Sequence, residues 1–462
     1  MAIGHPDATA PRRFTSMAGR GALGALVLAM ALLPLQGARL SAPLDFSVNA
    51  GADRAGGLLL SDLCFVGAAV ARAAALIDRR SRRPPGTLVR WGLILLAAGG
   101  CLGVVSADDP GQAVTALLRL AAVVAITATA VWGARPGAKR GLVVAAAYVA
   151  GATVSALAGI IAIRIAGPSS FETGLGRSVG LAGNSGALGV VSVIGMALAM
   201  VLASESRSAR ARVAFGAASG VLALAVLDSG SRGALLAGAV VTALVLARNW
   251  RTGHRRRAIA VTLLGSAIAL TALVGLTEFR AVDRLLLRDD ATTNSVTQRS
   301  TELRVDQYRI QVETRGWQSL AVGSGLQDLE PTPGSVTVDD LRDPHNGHLE
   351  VWLGTGLLGL SGWSLVALAT IGPGVRLLAG RRRLGPDEGL LAAIGTAYLG
   401  FVVLDLTVNN VWNRYVWVLV AWSAWLAGRP STSGEHTEPP QPDLRPSRPP
   451  DPPAGCEPDR SP

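Results

Sequence analysis

Two neighbouring histidines are the side chains best suited to proton transfer in this chain. Only five histidines occur, and His345 and His348 lie together in residues 343–350, where a long polar segment enters an apolar run. Because the pKa of imidazole lies near neutrality, either residue could act as a general acid or base. Two other interpretations remain open. The pair could cap a helix, or it could bind zinc together with Glu350.

Arginines supply a second kind of chemistry, the binding of anions. Arg232 stands in Ser229-Gly230-Ser231-Arg232-Gly233 beside apolar sequence, and Arg304 and Arg309 lie at helical spacing within residues 294–318. A guanidinium forms paired hydrogen bonds with phosphate oxygens, so these positions could bind a phosphorylated substrate. Alternatively, Arg232 extends to the membrane surface, and Arg299, Arg309 and Arg315 form a solvated face or contact lipid headgroups.

The elements that must position these residues are membrane-spanning helices. Half of the residues are hydrophobic and only 16% are charged, which exceeds the apolar content of ordinary soluble domains. Apolar runs recur at a length that crosses a hydrocarbon layer of about 30 Å as a helix. We therefore predict an all-α polytopic membrane protein with about 12 transmembrane helices. The predicted spans are 21–37, 57–77, 91–107, 113–134, 141–163, 179–203, 213–228, 232–247, 258–277, 348–371, 388–406 and 411–427.

Orientation follows from the arginine clusters, which fall in alternate loops. Basic loops are retained in the cytoplasm, so both termini are predicted to be cytoplasmic in a multi-pass protein of the inner membrane. The first span follows Arg12, Arg13 and Arg20, which is also typical of a signal peptide, but Ala38-Arg39-Leu40 is a poor cleavage site. An uncleaved span is therefore expected.

Two polar segments interrupt this pattern and define the predicted domains. Residues 278–346 form one large extracytoplasmic loop, and long ordered loops are usually functional. The Pro-rich tail, 428–462, is expected to be a disordered cytoplasmic segment. The remaining chain divides into helices 1–174 and a membrane domain, 175–427, which includes the loop.

Several classes of partner are disfavoured by the composition. The net charge of +11 comes from clusters between apolar runs, a pattern that indicates membrane topology and not nucleic-acid binding. The three cysteines, at 64, 101 and 456, suggest neither a disulfide nor a metal framework. The sequence indicates no cofactor, and the environment of the chain is expected to be membrane lipid.

Several short motifs occur in an order that resembles the O-antigen ligase and polymerase family (Wzy-type). Residues 344–359 match its His-Asn, Leu and Gly-Leu-Leu-Gly pattern, and Arg304 with Tyr308 precedes Gly323-Ser324-Gly325 as the family's arginine, aromatic and Gly-x-Gly residues do. Tyr308 stands where tryptophan is commoner. Residues 229–233 resemble a Ser-Arg-Gly element, and residues 183–185 a Gly-Asn segment. The resemblance covers about residues 175–425.

The resemblance implies a GT-C-like membrane glycosyltransferase that takes its glycan from an undecaprenyl-pyrophosphate carrier without a metal. His345 would be the catalytic residue. Arg232 and Arg304 would bind the pyrophosphate, and Asn346, His348 and Arg309 would also contact substrate. The acceptor would be a glycan or a glycolipid, since ligases and polymerases share these motifs.

A transporter or flippase of lipid-linked glycans is the alternative, because twelve spans with both termini inside are common among transporters. The chain shows no repeat between its halves, and its polar residues concentrate near one face of the membrane. Both features favour the enzyme.

Overall fold

Most of the predicted membrane region is described by the structure, a computed structural model. The chain divides into two units, Met1–Gly428 and Arg429–Pro462, and every described residue lies in the first. The predicted tail, the span 258–277 and most of the large loop, including His345 and Arg304, lie outside the described residues. The described ranges are 10–35, 60–73, 86–135, 138–165, 172–173, 177–178, 180–182, 185–206, 208–251, 308–309, 312–313, 316–326, 346–380, 384–407 and 412–428.

Helices account for almost all of these ranges. One short antiparallel ribbon pairs Glu172–Thr173 with Arg177–Ser178, and a 3-10 turn follows at Gly180–Ala182. The helices are α1 (Ala10–Leu32), α2 (Leu60–Ala73), α3 (Thr87–Val105), α4 (Pro110–Ala134), α5 (Ala138–Ile165), α6 (Ser185–Glu205), α7 (Ala209–Asp228), α8 (Arg232–Arg251), α9 (Trp317–Val322), α10 (Gly347–Ala379), α11 (Pro386–Asp405) and α12 (Arg414–Ala427).

Eight helices in the described ranges are long and apolar enough to cross a membrane, which confirms a polytopic, helical membrane protein. They are α3 to α8, α10 and α11. Each predicted span except 258–277 overlaps a described helix, and the total of twelve remains a prediction.

The centre of the bundle is α6, because it is buried on every side. All its residues from Leu188 to Ala203 are buried, whereas only 22% of the most apolar stretch of α4 is buried. A helix that is apolar all round suits either lipid or a bundle interior, and packing decides between them. Here α5, α7, α8 and α11 surround α6, so its apolar faces contact protein.

Small residues allow close contact between α3 and α10. A Cβ atom on Gly92 would lie 2.8 Å from the carbonyl oxygen of Gly362, and a Cβ atom on Gly103 would overlap that of Gly354. Glycine stripes of this kind let the backbones of membrane helices approach each other. The packing fixes α10 along the whole of α3.

Arg248, near the C-terminal end of α8, joins three helices of the bundle. The sequence places it in a basic loop cluster, but it lies in the last turn of α8 with 2% of its side chain exposed. Its Nη2 lies 2.7 Å from Glu205 Oε1, and its Nη1 donates to the carbonyl oxygen of Leu377 at 3.0 Å. A buried guanidinium needs such partners, and this one connects α6, α8 and α10.

Candidate active site

Helix α10, predicted as one span, is broken at Gly356. The φ and ψ angles of this residue are 65° and −168°, a conformation open essentially to glycine alone. We call residues 347–355 the first arm and residues 357–379 the second arm. In a straight helix His348 and Trp363 would lie about 22 Å apart along the axis. Their side chains are hydrogen-bonded at 3.0 Å, so the first arm folds back beside the second.

The Gly323-Ser324-Gly325 motif supplies backbone hydrogen bonds at this break in α10. The backbone amides of Ser324 and Gly325 donate to the carbonyl oxygens of Leu353 and Gly354 at 2.9 and 3.0 Å. In an unbroken helix those carbonyls would accept from amides four residues later, and the break at Gly356 removes those donors. The two glycines have φ angles of +93° and +88°, which explains their spacing around a single serine.

Helix α9, near the end of the large loop, is also hydrogen-bonded to the first arm. Trp352 of the first arm donates its indole N–H to the carbonyl oxygen of Leu320 at 3.0 Å. The Ser106 hydroxyl, just after α3, donates to the carbonyl oxygen of Gly323. The end of the large loop is thereby connected to both α3 and α10.

Asn346 is the N-cap of the first arm. Its Oδ1 accepts a hydrogen bond from the backbone amide of Leu349 at 3.0 Å. Capping satisfies one of the amides that a helix start leaves without an intrahelical partner. His345 therefore immediately precedes a fixed helix start in the sequence, although its own position lies outside the described residues.

Both ring nitrogens of His348 face protein groups. The indole N–H of Trp363 points at Nδ1 at 3.0 Å, and Nε2 lies 3.3 Å from the carbonyl oxygen of Val402. An indole can only donate, so Nδ1 must accept, and the ring proton sits on Nε2 facing Val402. His348 thus joins the two arms of α10 to α11. Its expected contact with substrate would compete with these bonds.

Asp405 lies at the C-terminal end of α11 against the start of the first arm. Its carboxylate is fully buried, and it occupies the space that a Cβ atom on Gly347 would need. One of its oxygens is 4.0 Å from His348 Nε2. A carboxylate beside the first amides of a helix is favourable, because the helix dipole is positive there. Gly347 is the residue that permits this approach.

Arg232 reaches the same end of the bundle through α8. Gly230 turns the chain with a φ angle of 59°, and the Ser231 hydroxyl accepts from the amide of Ala234 at 3.3 Å to cap α8. Gly233 lies against the Thr407 side chain, two residues beyond Asp405. Arg232 is the first residue of α8, and its side chain is exposed. The starts of α8 and α10 therefore both adjoin the C-terminal end of α11.

Glu350 is the second buried acid of this region, with 4% of its surface exposed. The Trp412 indole donates to its Oε1 at 2.8 Å, which ties the first arm to the segment just before α12. His348 and Glu350 thus direct polar atoms to different partners. In the structure, Asn346 caps the helix. His348 and Glu350 are hydrogen-bonded to Trp363 and Trp412, so the geometry of these two residues gives no support for a zinc site.

Arg309 takes part in a local ion pair. Its Nε lies 2.7 Å from Glu313 Oε1, and the two side chains are 70% and 59% exposed. Because both side chains are largely exposed, Arg309 lies on a solvated face in this structure. Exposed ion pairs at this spacing contribute little to stability. Its expected contact with substrate remains a prediction.

Asp405, Trp363 and Trp412 were not singled out by sequence reasoning. A signal was present for Asp405, because an acid at the end of the apolar run 399–406 is costly unless it has a role. The two tryptophans carried no such signal, since tryptophan is common at the ends of membrane helices.

The polar cluster lies within the bundle, since Asp405 and Glu350 are almost fully buried, and we call this region the recess. Trp363 stands seven residues after the hinge at Gly356, which places the tip of the first arm about 10 Å from the hinge along the helix axis. Helix α8 begins and helix α11 ends at this level, because Gly233 contacts Thr407 and Asp405 contacts Gly347. The described residues thus surround a polar corner inside the apolar bundle.

Comparison with known proteins identifies one family. Residues 217–364 match the O-antigen ligase family model, Wzy_C. The match begins in α7 and ends in the second arm, so it includes Arg232, the large loop and the Asn346 corner. No curated protein matches the chain. The resemblance seen in the motifs is therefore confirmed: this is a multi-pass membrane protein whose residues 217–364 match the O-antigen ligase family model.

Proposed function

We propose that the protein transfers a glycan from an undecaprenyl-pyrophosphate carrier to a hydroxyl of an acceptor glycan or glycolipid. The observation that carries this proposal is that two motifs more than 100 residues apart in sequence both reach the C-terminal end of α11. Gly233, next to Arg232, contacts Thr407, and Gly347, next to Asn346, contacts Asp405. Arg232 and the corner that follows His345 in sequence then adjoin the same end of α11, which supports a site where a pyrophosphate and a general base act together.

In the proposed reaction, the acceptor oxygen attacks the anomeric carbon of the donor glycan. The new C–O bond forms with inversion as the bond to the pyrophosphate breaks, and undecaprenyl pyrophosphate leaves. His345 accepts the proton of the acceptor hydroxyl. Arg232 and Arg304 bind the pyrophosphate and stabilise the negative charge that grows on it. Positioning and charge stabilisation suffice in this scheme, without a metal or cofactor.

The recess supports this chemistry through its surroundings. Electrostatic contacts strengthen where water is excluded, and the cluster lies beside the apolar surfaces of α6, α8, α10 and α11. In this proposal residues 175–427 form the catalytic membrane domain and helices 1–174 support it. The recess opens toward the extracytoplasmic side of the inner membrane, and both termini are cytoplasmic.

Reconstituted transfer tests the proposal. Purified protein in detergent receives an undecaprenyl-pyrophosphate-linked repeat, an acceptor glycan and a chelator. We expect equal amounts of new glycosidic bond and released undecaprenyl pyrophosphate. His345→Ala should lower turnover by roughly 10²- to 10⁴-fold, the range for a missing general acid or base. His254→Ala, a histidine in a predicted cytoplasmic segment, serves as the matched control and should transfer normally.

Two outcomes would contradict the proposal. Movement of the donor across vesicle membranes, with no new glycosidic bond at any acceptor concentration, would identify a flippase. Normal turnover in His345→Ala would remove this histidine from the chemistry, even if transfer itself occurs.

A further inference from the structure

We propose that Trp363 is a positioning residue for the transfer site. This inference rests on the proposed function. By donating its indole N–H to His348, Trp363 holds the first arm of α10 against the second arm and the end of α11. The Asn346 cap, which His345 immediately precedes in the sequence, is thereby held against the end of α11.

The hydrogen bond between Trp363 and His348 joins the two arms of α10 far from the hinge. The hinge is Gly356; His348 stands eight residues before it and Trp363 seven residues after it. The bond therefore connects the tip of the first arm to the second arm, far from the Gly323-Ser324-Gly325 contacts at the hinge. The other described contacts near the tip, Gly347 with Asp405 and Glu350 with Trp412, join it to α11 and to the segment before α12.

The direction of this bond is fixed by chemistry. Trp363 has one indole N–H and no acceptor, so His348 must present an unprotonated Nδ1. The proton on Nε2 then faces the carbonyl oxygen of Val402 at 3.3 Å. One imidazole thus connects the second arm, the first arm and α11, which gives His348 a role in positioning.

Trp363 is itself held rigidly. It is fully buried, and its ring packs edge to face on Trp417 of α12, with centroids 5.6 Å apart and planes inclined at 65°. Edge-to-face aromatic pairs are favourable at this separation. The indole of Trp363 cannot turn away from His348 without disturbing α12. The hydrogen bond therefore holds the tip of the first arm in a defined position relative to α12.

The consequence for catalysis is geometric. His345 lies in sequence immediately before the cap of the first arm, so the position of the tip sets where this histidine can reach. A displacement of about 1 Å at a reacting group can lower turnover on the order of 100-fold. Loss of the bond should therefore act mainly on kcat and leave donor binding by the arginines intact.

Four variants test this inference. Trp363→Phe removes the donor and keeps an aromatic ring. His348→Leu removes the acceptor, whereas His348→Asn retains one at a similar position. Trp132→Phe is the matched control, because the indole of Trp132 donates to the carbonyl oxygen of Ala421 at 3.3 Å, between other helices. Hydrogen exchange of the backbone amides of residues 347–355 is measured alongside kcat and the KM for the undecaprenyl-pyrophosphate-linked donor.

We expect exchange in the first arm to accelerate roughly threefold to tenfold in Trp363→Phe and His348→Leu, the effect of one interhelical hydrogen bond in a membrane protein. In both variants kcat should fall about 10- to 100-fold, with the KM within about twofold of the parent value. His348→Asn should exceed His348→Leu in turnover, and Trp132→Phe should match the parent. The double variant of Trp363→Phe and His348→Leu should be no worse than the worse single variant, because both remove the same bond.

Parental exchange and parental kcat in Trp363→Phe would overturn the inference, as would additive losses in the double variant. If Trp363→Phe fails to fold, the comparison of His348→Asn with His348→Leu decides the question, and equal turnover in those two would refute it. Exchange does not depend on transfer. Absence of transfer in the parent protein would thus contradict the proposed function while the tether is still tested by exchange.

Discussion

Replacement of Gly356 by alanine tests the break in α10 directly. The φ and ψ angles of 65° and −168° lie in a region that costs an L-residue about 1–3 kcal/mol. The new Cβ atom would also overlap the carbonyl oxygen of Ala321 and lie 2.7 Å from that of Val322, and overpacking costs a further ~1–3 kcal/mol. The sum, about 2–6 kcal/mol, is a large part of a typical folding free energy. We expect Gly356→Ala either to lower stability or to release the first arm and abolish transfer.

The assay compares Gly356→Ala with Gly216→Ala in detergent. Gly216 lies in α7, and a Cβ atom there would have no neighbour within 4 Å, so alanine should stabilise the helix by about 0.5–1 kcal/mol. Apparent melting temperature and turnover per folded molecule are measured for both proteins. We expect a lower melting temperature, lower turnover, or both in Gly356→Ala only. If both variants melt and transfer alike, α10 is not broken at this residue and the recess has another geometry.

Three further predictions concern the substrate, the topology and the tail. Arg232→Lys and Arg304→Lys should weaken donor use although the charge is kept, because lysine cannot form paired bonds to phosphate; turnover equal to the parent across donor concentrations would make them membrane anchors only. Reporter fusions at Arg257 and Gly334 should lie on opposite sides of the membrane, and a common side would overturn the predicted orientation. Deletion of residues 432–462 should leave insertion and turnover unchanged, since a disordered tail adds no packing; a large loss at normal abundance would indicate a partner for the tail.

The sequence by itself predicted the helical membrane class and the approximate limits of the described helices. Hydropathy is a local property, and a run of about 20 apolar residues needs no distant contact to be recognised. The motifs around Arg232, Gly323-Ser324-Gly325 and Asn346 likewise indicated the family, and the match over residues 217–364 confirms it. The structural role of these motifs could not be inferred from the sequence. The glycine pair was recognised as a signature, but its task of bonding the carbonyls of Leu353 and Gly354 was not.

The tertiary structure decided how the site is built. Residues 348–371 were predicted as one continuous span because glycine is tolerated in membrane helices. The backbone angles of Gly356 and its close packing against α9 show that it is a hinge. The contacts of Gly233 with Thr407 and of Gly347 with Asp405 join segments far apart in sequence, and no periodicity encodes such pairs. Hydropathy places each helix in the membrane, but it does not specify which helices are neighbours. That choice depends on side-chain complementarity, such as the fit of Trp363 to His348, and it exists only in the folded bundle.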